Sequence, residues 1–451
     1  MGLGIAGGGL GAARFLHSQG ALVTVTDLKG SDELQSSLEA LPDGIRLALD
    51  GHQMSDFTGA DLVIKNPGVR PNSPFLSAAK EAGVEIQTDL SLFLARCPSP
   101  VLAVTGSKGK STTAAALAAI LQQEEPMTQL GGNIGRSPLD FLTEISAYTP
   151  VVLELSSWQL ADLRDSALLS PTVAVITNLL PDHQNRYQSM EEYMADKRVI
   201  TESQPPGSWL ILNRDDPWYH RFAEGTAANI ALFSSHIKPT GDGAWIQNGV
   251  VHVSLNGHEN VAFHTPGTLE LRNEDIPGPI STNLLAAAAA AAVFGSKTES
   301  IYRGLGTFRG LPHRLELLGE VGGIRFINDS AATIPEATAA ALASMSSPVV
   351  LLAGGADKEL DFMPMASAAS SLQRCVLLAG SATAKLLATL SGSKVICDGP
   401  FDTMEEAFKT ALCVAAPGTT ILLSPGCASF GMFLNEFDRG DHFRKLVRGL
   451  A

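Results

Sequence analysis

Short apolar runs alternate along the chain with longer stretches of helical periodicity, and this alternation predicts a mostly parallel α/β fold. Each run is about five residues long, which suits a strand buried on both faces of a sheet. The clearest runs are Val101–Thr105, Val151–Leu155, Thr172–Thr177, Val349–Ala353 and Thr420–Leu423. Weaker runs predict further strands at Ala21–Thr26, Asp61–Lys65, Val84–Gln87, Trp209–Leu212, Ile324–Ile327, Cys375–Leu378 and Lys394–Cys397. The helical stretches between them suit crossover connections.

The spacing of these elements predicts three α/β domains in the 451 residues. We expect a Rossmann-like domain over residues 1–93, a central P-loop domain with a mostly parallel sheet over 94–308, and a second Rossmann-like domain over 309–451. The alternation around Asn248-Gly249 predicts a β-hairpin appended to the central domain.

A glycine motif stands at the start of the chain. Gly2, Gly4 and Gly7 follow the G-x-G-x-x-G spacing, which lets backbone amides approach a diphosphate, and Asp27 could bind a ribose hydroxyl. A dinucleotide and a nucleotide-sugar diphosphate would both fit, and the alternative is a glycine turn that only packs a helix. Such a loop normally follows a buried parallel strand. We therefore expect about one further strand, roughly ten residues, upstream of Met1.

A second glycine loop, Gly106-Ser107-Lys108-Gly109-Lys110-Ser111-Thr112, separates a strand-like run from an alanine-rich helix. It is shorter than the general phosphate loop, with two residues between its glycines, but the same donors remain. Lys110 is placed to reach the β- and γ-phosphates, Ser111 or Thr112 to bind Mg²⁺, and the helix to present its positive end.

Three separated polar residues follow along the same predicted domain. Glu154 ends a strand, His183 lies beyond the carboxyl end of the next strand, and Lys197 lies on a predicted helix. Each by itself suits a structural role, as an ion-paired glutamate, a packed histidine or a solvated lysine. Together with a phosphate loop they suit a Mg²⁺-ATP site.

Charge and cysteine usage exclude several other classes of protein. The net charge is −14 without a block of Lys or Arg, so nucleic acid and anionic membrane surfaces are not expected partners. The five cysteines include no C-x-x-C pair, which argues against a zinc site or a disulfide framework and fits a reducing cytoplasm. The apolar run at 284–294 is too short to insert across a bilayer.

In order and spacing, the motifs resemble those of the Mur ligases over almost the whole chain. Typical of the MurD branch are GGNIG at 131–135, LPHR at 311–314, NDS at 328–330 and SPGCASF at 424–430. The resemblance implies a cytoplasmic, ATP-dependent amide ligase of peptidoglycan precursor synthesis. Such a ligase adds D-glutamate to UDP-N-acetylmuramoyl-L-alanine through an acyl phosphate.

The resemblance also implies a role for each matching position. The UDP-substrate would contact Gly2, Gly4, Gly7, Asp27, Asn66, Gly68 and Asn133. ATP would contact Gly106, Ser107, Lys108, Gly109, Lys110, Ser111, Thr112, Asn283, Arg314 and Asp329. Glutamate would contact Thr333, Lys358, Ser429 and Phe430. Two Mg²⁺ ions would be held by Ser111, Glu154, His183 and a carbamylated Lys197, and Lys110, His183 and Lys197 would be catalytic.

Several alternatives remain at this point. The same ligation could use L-glutamate, since Ala331 and Glu436 depart from the residues common near the amino-acid site. A sister ligase of the folylpolyglutamate type has the same fold. A nicotinamide-dependent oxidoreductase would use the Gly2–Gly7 loop but leaves the second loop unexplained, and a non-catalytic nucleotide-sugar binder leaves Lys110 and Glu154 unexplained. We expect a monomer.

Overall fold

A mostly parallel α/β architecture runs through the chain, as the apolar pattern predicts. The computed structural model describes residues 1–4, 7–134, 136–181, 187–247, 250–255, 258–263, 278–308, 310–357, 360–369, 372–393 and 395–450. The chain divides into two compact units, Met1–Pro266 with Pro279–Phe308 and Gly267–Gly278 with Arg309–Ala451. Among the described residues, no helix has the length and apolarity needed to cross a membrane.

The N-terminal part of the first unit contains two separate parallel strand pairs among its described residues. Strand β1 (Thr24–Thr26) pairs with β2 (Arg46–Ala48), and β3 (Leu62–Ile64) pairs with β4 (Glu85–Gln87). The strands are shorter than the apolar runs suggest, and one continuous Rossmann-like sheet is not formed by the described residues. The surrounding helices are α1 (Gly8–Ser18), α2 (Ser31–Leu38), α3 (Ser55–Thr58), α4 (Pro74–Glu81) and α5 (Asp89–Leu94).

A nine-stranded sheet forms the centre of the first unit. Its strands are β5 (Val101–Thr105), β6 (Gln129–Gly132), β7 (Val151–Glu154), β8 (Val173–Ile176), β9 (Trp209–Asn213), β10 (Asn229–Ser234), β11 (Gly243–Gln247), β12 (Val250–Leu255) and β13 (His258–Phe263). The order is β13-β12-β11-β10-β9-β8-β5-β7-β6, parallel from β6 to β11. The predicted hairpin is present, because β11 and β12 pair antiparallel, and β13 extends it. Its tip, Asn248-Gly249, lies outside the described residues.

Strand β5 is buried along its whole length and lies between β7 and β8, so the loop that follows it has a strand end on either side. The helices around this sheet are α6 (Lys110–Leu121), α7 (Ser157–Leu163), α8 (Met190–Glu202), α9 (Tyr219–Ala223), α10 (Gly278–Phe294) and α11 (Thr298–Thr307). Helix α11 approaches α6 closely at Gly304, where an added Cβ would lie 2.4 Å from the Cα of Ile120. Small residues therefore bring the helices of this layer into close contact.

The second unit contains a six-stranded sheet. Its strands are β14 (Glu316–Val321), β15 (Ile324–Asn328), β16 (Val349–Gly354), β17 (Leu372–Leu378), β18 (Cys397–Phe401) and β19 (Thr420–Leu423), in the order β14-β15-β19-β16-β17-β18. Strand β14 pairs antiparallel with β15, and the other four strand pairs that the structure describes here are parallel. The helices are α12 (Pro335–Ala343), α13 (Met363–Ser367), α14 (Thr383–Ser391), α15 (Met404–Val414) and α16 (Glu436–Arg448).

The predicted strand at 394–397 is wrong in its position. Strand β18 begins at Cys397, where the predicted strand ends, because its pairing with β17 starts at Cys397 opposite Cys375. The apolar side chain of Ile396 is 58% exposed, so its hydrophobicity does not indicate burial in the sheet.

Candidate active site

The second glycine loop has a backbone conformation that only glycine adopts without strain. Gly106 has φ 145° and Gly109 has φ 85°. A Cβ atom on Gly106 would lie 1.9 Å from the Thr177 hydroxyl, and one on Gly109 would lie 2.1 Å from Oδ1 of Asn283. The loop leads directly into α6, which begins at Lys110. The backbone amides of the loop and the positive end of the helix dipole therefore lie next to each other.

Asn178 and Thr177, at the end of β8, hold this loop in position. The Lys108 amide donates to Oδ1 of Asn178 at 2.9 Å, and Nδ2 of Asn178 donates to the Lys108 carbonyl at 3.1 Å. The Thr177 hydroxyl donates to the same carbonyl at 2.6 Å. Sequence reasoning missed both residues. A polar pair directly after a buried strand that neighbours β5 is the signal that could have found them.

Ser107 braces the loop through its side chain. It is buried, its hydroxyl donates to the Leu180 carbonyl at 3.0 Å, and the Leu180 amide donates back to the hydroxyl at 2.9 Å. The Ser107 amide donates to the Asn178 carbonyl at 2.9 Å. These contacts fix the turn, but they occupy the hydroxyl and the amide of Ser107, which could otherwise donate hydrogen bonds to a phosphate.

Two lysine ammonium groups converge on the carbonyl of Gly106. Nζ of Lys110 donates to it at 3.1 Å and to the Ser107 carbonyl at 3.0 Å, while Nζ of Lys197 donates to the Gly106 carbonyl at 2.8 Å. Lys197 is 1% exposed and lies 4.5 Å from the ring centroid of Tyr193. The alternative interpretation of Lys197 as a solvated lysine is therefore wrong. Lys108, in contrast, is exposed.

Glu154 brings a buried carboxylate to the same edge of the sheet. It ends β7, which neighbours β5, and it is 1% exposed. Oε1 accepts from Nδ2 of Asn133 at 3.1 Å, whereas Oε2 has no hydrogen-bond partner within the described part of the chain. A buried, unpaired carboxylate oxygen is costly unless a cation compensates it. Ser111, in the first turn of α6, is a second oxygen donor at this edge.

The described residues contain no cluster of three or more His, Cys, Asp or Glu side chains that could hold a metal. The expected ligand set includes a serine and a modified lysine, and His183 lies outside the described residues. Of that set, the structure places Glu154 and Lys197 in the interior and Ser111, which is also buried, in the first turn of α6. The arrangement fits Mg²⁺, which prefers oxygen ligands.

Asp27 supports the N-terminal glycine loop. Its Oδ2 accepts from the Gly4 amide at 3.1 Å, and its Oδ1 accepts from the Lys29 amide at 3.0 Å. The carboxylate is 7% exposed. Both oxygens are therefore engaged by backbone donors, and a ribose hydroxyl would have to share them.

Asn66 lies against the same loop. A Cβ on Gly2 would lie 3.0 Å from the Cβ of Asn66, whose Oδ1 accepts from the Gly68 amide at 3.1 Å. Gly7 precedes α1 with φ 93°, so the first amides of that helix also face the loop region. The structure thus brings together the glycines and Asn66 that were assigned to the nucleotide-sugar. Asn133 lies beside Glu154.

In the second unit, Asp329 is a buried carboxyl group at the end of β15. It accepts from the Ser424 hydroxyl at 2.7 Å and from the Leu315 amide at 3.1 Å. Burial raises the pKa of Asp329 to about 7, while these two hydrogen bonds and the charge of Arg314 oppose the shift. Arg314 itself is exposed. This carboxyl group therefore titrates near neutral pH.

Ser429 and Phe430 follow β19 in the same unit. Ser429 is buried and Phe430 is 55% exposed. Ala356 and Ala428 exchange two backbone hydrogen bonds, at 2.9 and 3.2 Å, which join the segment after β16 to the segment that carries Ser429. Lys358, two residues beyond Ala356, lies outside the described residues. Thr333 is half-buried on a neighbouring loop, where the Gly426 amide donates to the Ala332 carbonyl.

Arg439 ties these loops together and was missed by sequence reasoning. It is 1% exposed, and its guanidinium donates to the Ser330 hydroxyl at 3.0 Å, the Ser330 carbonyl at 2.8 Å and the Cys427 carbonyl at 3.1 Å. Burial lowers its pKa to about 10, so it keeps its charge at neutral pH. Nothing in the local sequence distinguishes it from the other basic residues of α16.

Models of three Mur ligase domains match the chain. The MurD-like N-terminal domain matches residues 1–88, the middle domain 104–291, and the glutamate ligase domain 313–427. Two UDP-N-acetylmuramoylalanine–D-glutamate ligases are similar over the full length. The one from Roseiflexus sp. (strain RS-1) is 45% identical, covering 100% of this chain and 98% of the relative. The one from Treponema pallidum (strain Nichols) is 38% identical, covering 99% and 96%.

Solved structures share the fold at low identity. MurC of Thermotoga maritima has a TM-score of 0.64 at 18% identity, covering 99% of this chain and 98% of that chain. MurF of the same organism, in complex with ADP, has a TM-score of 0.58 at 17% identity, covering 98% and 99%. FolC of E. coli, in complex with DHPP and ADP, has a TM-score of 0.55 at 17% identity, covering 80% and 92%.

Proposed function

The chain belongs to the Mur ligase family, in its MurD-like branch, and we propose that it joins D-glutamate to UDP-N-acetylmuramoyl-L-alanine with hydrolysis of ATP. The observation that carries this proposal is the full-length similarity, at 45% and 38% identity, to two ligases of that name. The folylpolyglutamate alternative has less support, because FolC is similar only in fold, at 17% identity. The oxidoreductase alternative explains none of the contacts around Lys110 and Glu154.

The chemistry needs no side-chain nucleophile. A carboxylate oxygen of the alanyl end attacks the γ-phosphorus of ATP and ADP leaves, which gives an acyl phosphate. The glutamate amine then attacks the acyl carbon, phosphate leaves with the bonding electron pair, and the amine loses a proton. Lys110 and the amides at the start of α6 can neutralise phosphate charge during both steps. The residues of the chain therefore act by positioning and by charge.

Mg²⁺ would be held by Ser111, Glu154, His183 and Lys197 in this proposal. The free Oε2 of Glu154 supports it, because that buried oxygen has no partner among the described residues. When bound, Mg²⁺ would withdraw charge from the phosphate oxygens. Two ions are proposed, one at Ser111 and Glu154 and the other at His183 and Lys197.

Carbamylation of Lys197 would supply the second site with oxygen ligands. Reaction of the buried Lys197 amine with carbon dioxide would form the carbamate and release a proton. A carbamate carries two anionic oxygens suited to a hard cation, whereas an ammonium would repel it.

The remaining contacts are assigned by the same family positions. Gly2, Gly4, Gly7, Asn66 and Gly68 are proposed to contact the UDP moiety, with Asp27 holding their loop. Asn133, beside Glu154, is proposed to contact the reacting end of the same substrate. Asn283, Arg314 and Asp329 are assigned to ATP, and Thr333, Lys358, Ser429 and Phe430 to glutamate. We also propose a monomeric enzyme in the cytoplasm, where both nucleotide substrates are made.

The test is phosphate release from ATP by the full chain with defined substrates. We expect release with UDP-N-acetylmuramoyl-L-alanine and D-glutamate together, and little when either is omitted. L-glutamate at the same concentration is the stereochemical control, and a pteroate acceptor is the control for the folate class. Preference for L-glutamate, or release with pteroate in place of the UDP-sugar, would contradict the proposal.

A further inference from the structure

A buried ion pair connects the end of β3 to helix α7 of the first unit. Nζ of Lys65 and Oδ2 of Asp162 are 2.6 Å apart, and each of the two side chains is 10% exposed. No other ion pair among the described residues has both side chains so little exposed. Removing two charges from water costs free energy that their attraction offsets only in good geometry. A pair of this kind is weak evidence for added stability and points to a role in fixing the relative position of the two segments.

Lys65 lies directly before the loop that is assigned to the nucleotide-sugar. The Lys65 amide donates to the Gln87 carbonyl at 2.9 Å, which extends the pairing of β3 with β4 by one residue. Asn66 follows, and its Oδ1 accepts from the Gly68 amide at 3.1 Å. The strand pair fixes the backbone of Lys65, and the turn after it is fixed by its own hydrogen bond. The position of Lys65 therefore determines where residues 66–68 lie.

Asp162 lies on α7, which begins three residues after Glu154, the last residue of β7. A capping box closes the first turn of this helix. The Ser156 hydroxyl accepts from the Gln159 amide at 3.2 Å, and Oε1 of Gln159 accepts from the Ser156 amide at 3.0 Å. The connection between the Glu154 carboxylate and Asp162 is therefore short and held by hydrogen bonds.

The first glycine loop is connected to the central part of the unit by packing instead of charge. Helix α1, which follows that loop, approaches Ser137 so closely that a Cβ on Gly11 would lie 2.3 Å from the Ser137 Cβ. The Ser137 hydroxyl also donates to Oδ2 of Asp89, the first residue of α5, at 3.4 Å. On the side of residues 66–68, the Lys65–Asp162 pair makes the corresponding connection.

We propose that Lys65 and Asp162 are positioning residues for the ligation, and that their ion pair holds the nucleotide-sugar loop at 66–68 at a fixed distance from the Glu154 carboxylate. The inference rests on the proposed function, because that function assigns the two connected segments to the two reacting substrates. Attack of a carboxylate on a phosphate group depends steeply on the distance and angle between the reacting atoms. Neither Lys65 nor Asp162 is assigned to a substrate contact. Loss of the pair should therefore lower turnover while each substrate still binds.

The experiment compares the full chain with four variants. Asp162→Asn removes one charge, and the double variant Lys65→Met/Asp162→Leu removes both, so that no unpaired charge remains in the interior. Lys65→Arg keeps the cation as the conservative variant. Glu144→Gln is the matched control, because it removes an ion pair of 3.0 Å with Arg136 in which both side chains are 45% exposed. For each protein, kcat, KM for ATP, the affinity for UDP in an equilibrium titration, Tm, and hydrogen exchange of peptides covering 62–70 and 155–163 are measured.

Asp162→Asn and the double variant should lower kcat about tenfold or more, with little change in the affinity for UDP or in KM for ATP. Both variants should also exchange faster in the two peptides without any substrate present, because the connection between these segments is lost. Lys65→Arg should retain most of the turnover, and Glu144→Gln should match the unaltered chain.

An unchanged kcat in the double variant would overturn the proposal. A parallel loss of UDP affinity, ATP affinity and Tm would also overturn it, because that is the result expected of a merely structural pair. An unaltered chain that releases no phosphate would contradict the proposed function. The exchange measurements need no turnover, so unchanged exchange in both peptides would overturn the role of the pair by itself.

Discussion

The raised pKa of Asp329 predicts that replacing it by Asn stabilises the second unit at neutral pH. The pKa of the Asp329 carboxyl group is about 7 in the folded protein, whereas in the unfolded chain it has the ordinary value of 3.8. Between these values the folded state binds more protons, so stability falls as pH rises through the window. Asn does not titrate and therefore lacks this loss. Its amide can accept from the Leu315 N–H and donate to the Ser424 hydroxyl, the two partners of the carboxyl group.

The size of the effect follows from the two pKa values. A difference between about 7 and 3.8 corresponds to about 4 kcal/mol at roughly 1.4 kcal/mol per pKa unit, and this full cost is present at pH 8. At pH 5 the cost is about 2 kcal/mol, because the unfolded carboxyl is already mostly ionised and the folded one is not. The advantage of Asp329→Asn should therefore grow by about 2–3 kcal/mol from pH 5 to pH 8.

The assay has to report on the second unit alone. All four tryptophans lie before residue 309, so tryptophan fluorescence does not follow this unit. Native-state hydrogen exchange of the buried strands around Leu351 and Leu422, corrected for intrinsic rates, measures its opening free energy at each pH. Asp402→Asn, at an exposed position of the same unit, is the matched control and should show little change. An Asp329→Asn advantage that is equal at pH 5 and pH 8 would refute the reasoning.

Five substitutions, of which Lys108→Asn is a control, test the site itself by steady-state kinetics and binding. Lys110→Ala should reduce kcat/KM for ATP far more than Lys108→Asn, because the Lys110 ammonium donates to two carbonyls of the loop whereas Lys108 is exposed; equal losses would contradict this. Lys197→Ala should remove most activity while circular dichroism stays unchanged, and near-normal turnover without added small carboxylates would exclude a carbamate ligand. Arg439→Met should raise KM for glutamate and leave KM for the UDP-sugar nearly unchanged, since its guanidinium holds loops of the second unit; equal changes in both would count against a positioning role. Gly109→Ala should weaken ATP binding at least about tenfold, because its Cβ would collide with a buried amide side chain and φ is positive; unchanged binding in a nucleotide titration would show that the loop can rearrange.

The local pattern of apolar and polar residues was sufficient to predict strands that are buried on both faces of a sheet. Val101–Thr105 and Thr420–Leu423 are short, mostly apolar segments, and both form fully buried strands with the predicted bounds. The Asn248-Gly249 pair predicts its hairpin because few residues adopt the backbone of a two-residue turn. The loop at 106–112 was recognisable for a similar reason, since its two glycines with positive φ and the helix that follows are consecutive in sequence.

Contacts between distant segments decided the rest. Lys197 is buried against the carbonyl of Gly106, which lies 91 positions earlier in the chain. The pattern of apolar residues in α8 does not predict that contact. The support that Asn178 gives to the loop and Arg439 gives to Ser330 likewise joins segments far apart in sequence. The lengths of the short strands β1 and β3 also depend on contacts that local sequence does not predict. Their apolar runs predict strands, but how far each pairs is set by the neighbour beside it, because a strand is stabilised by its hydrogen-bonded partner and its cover of helices rather than by its own sequence.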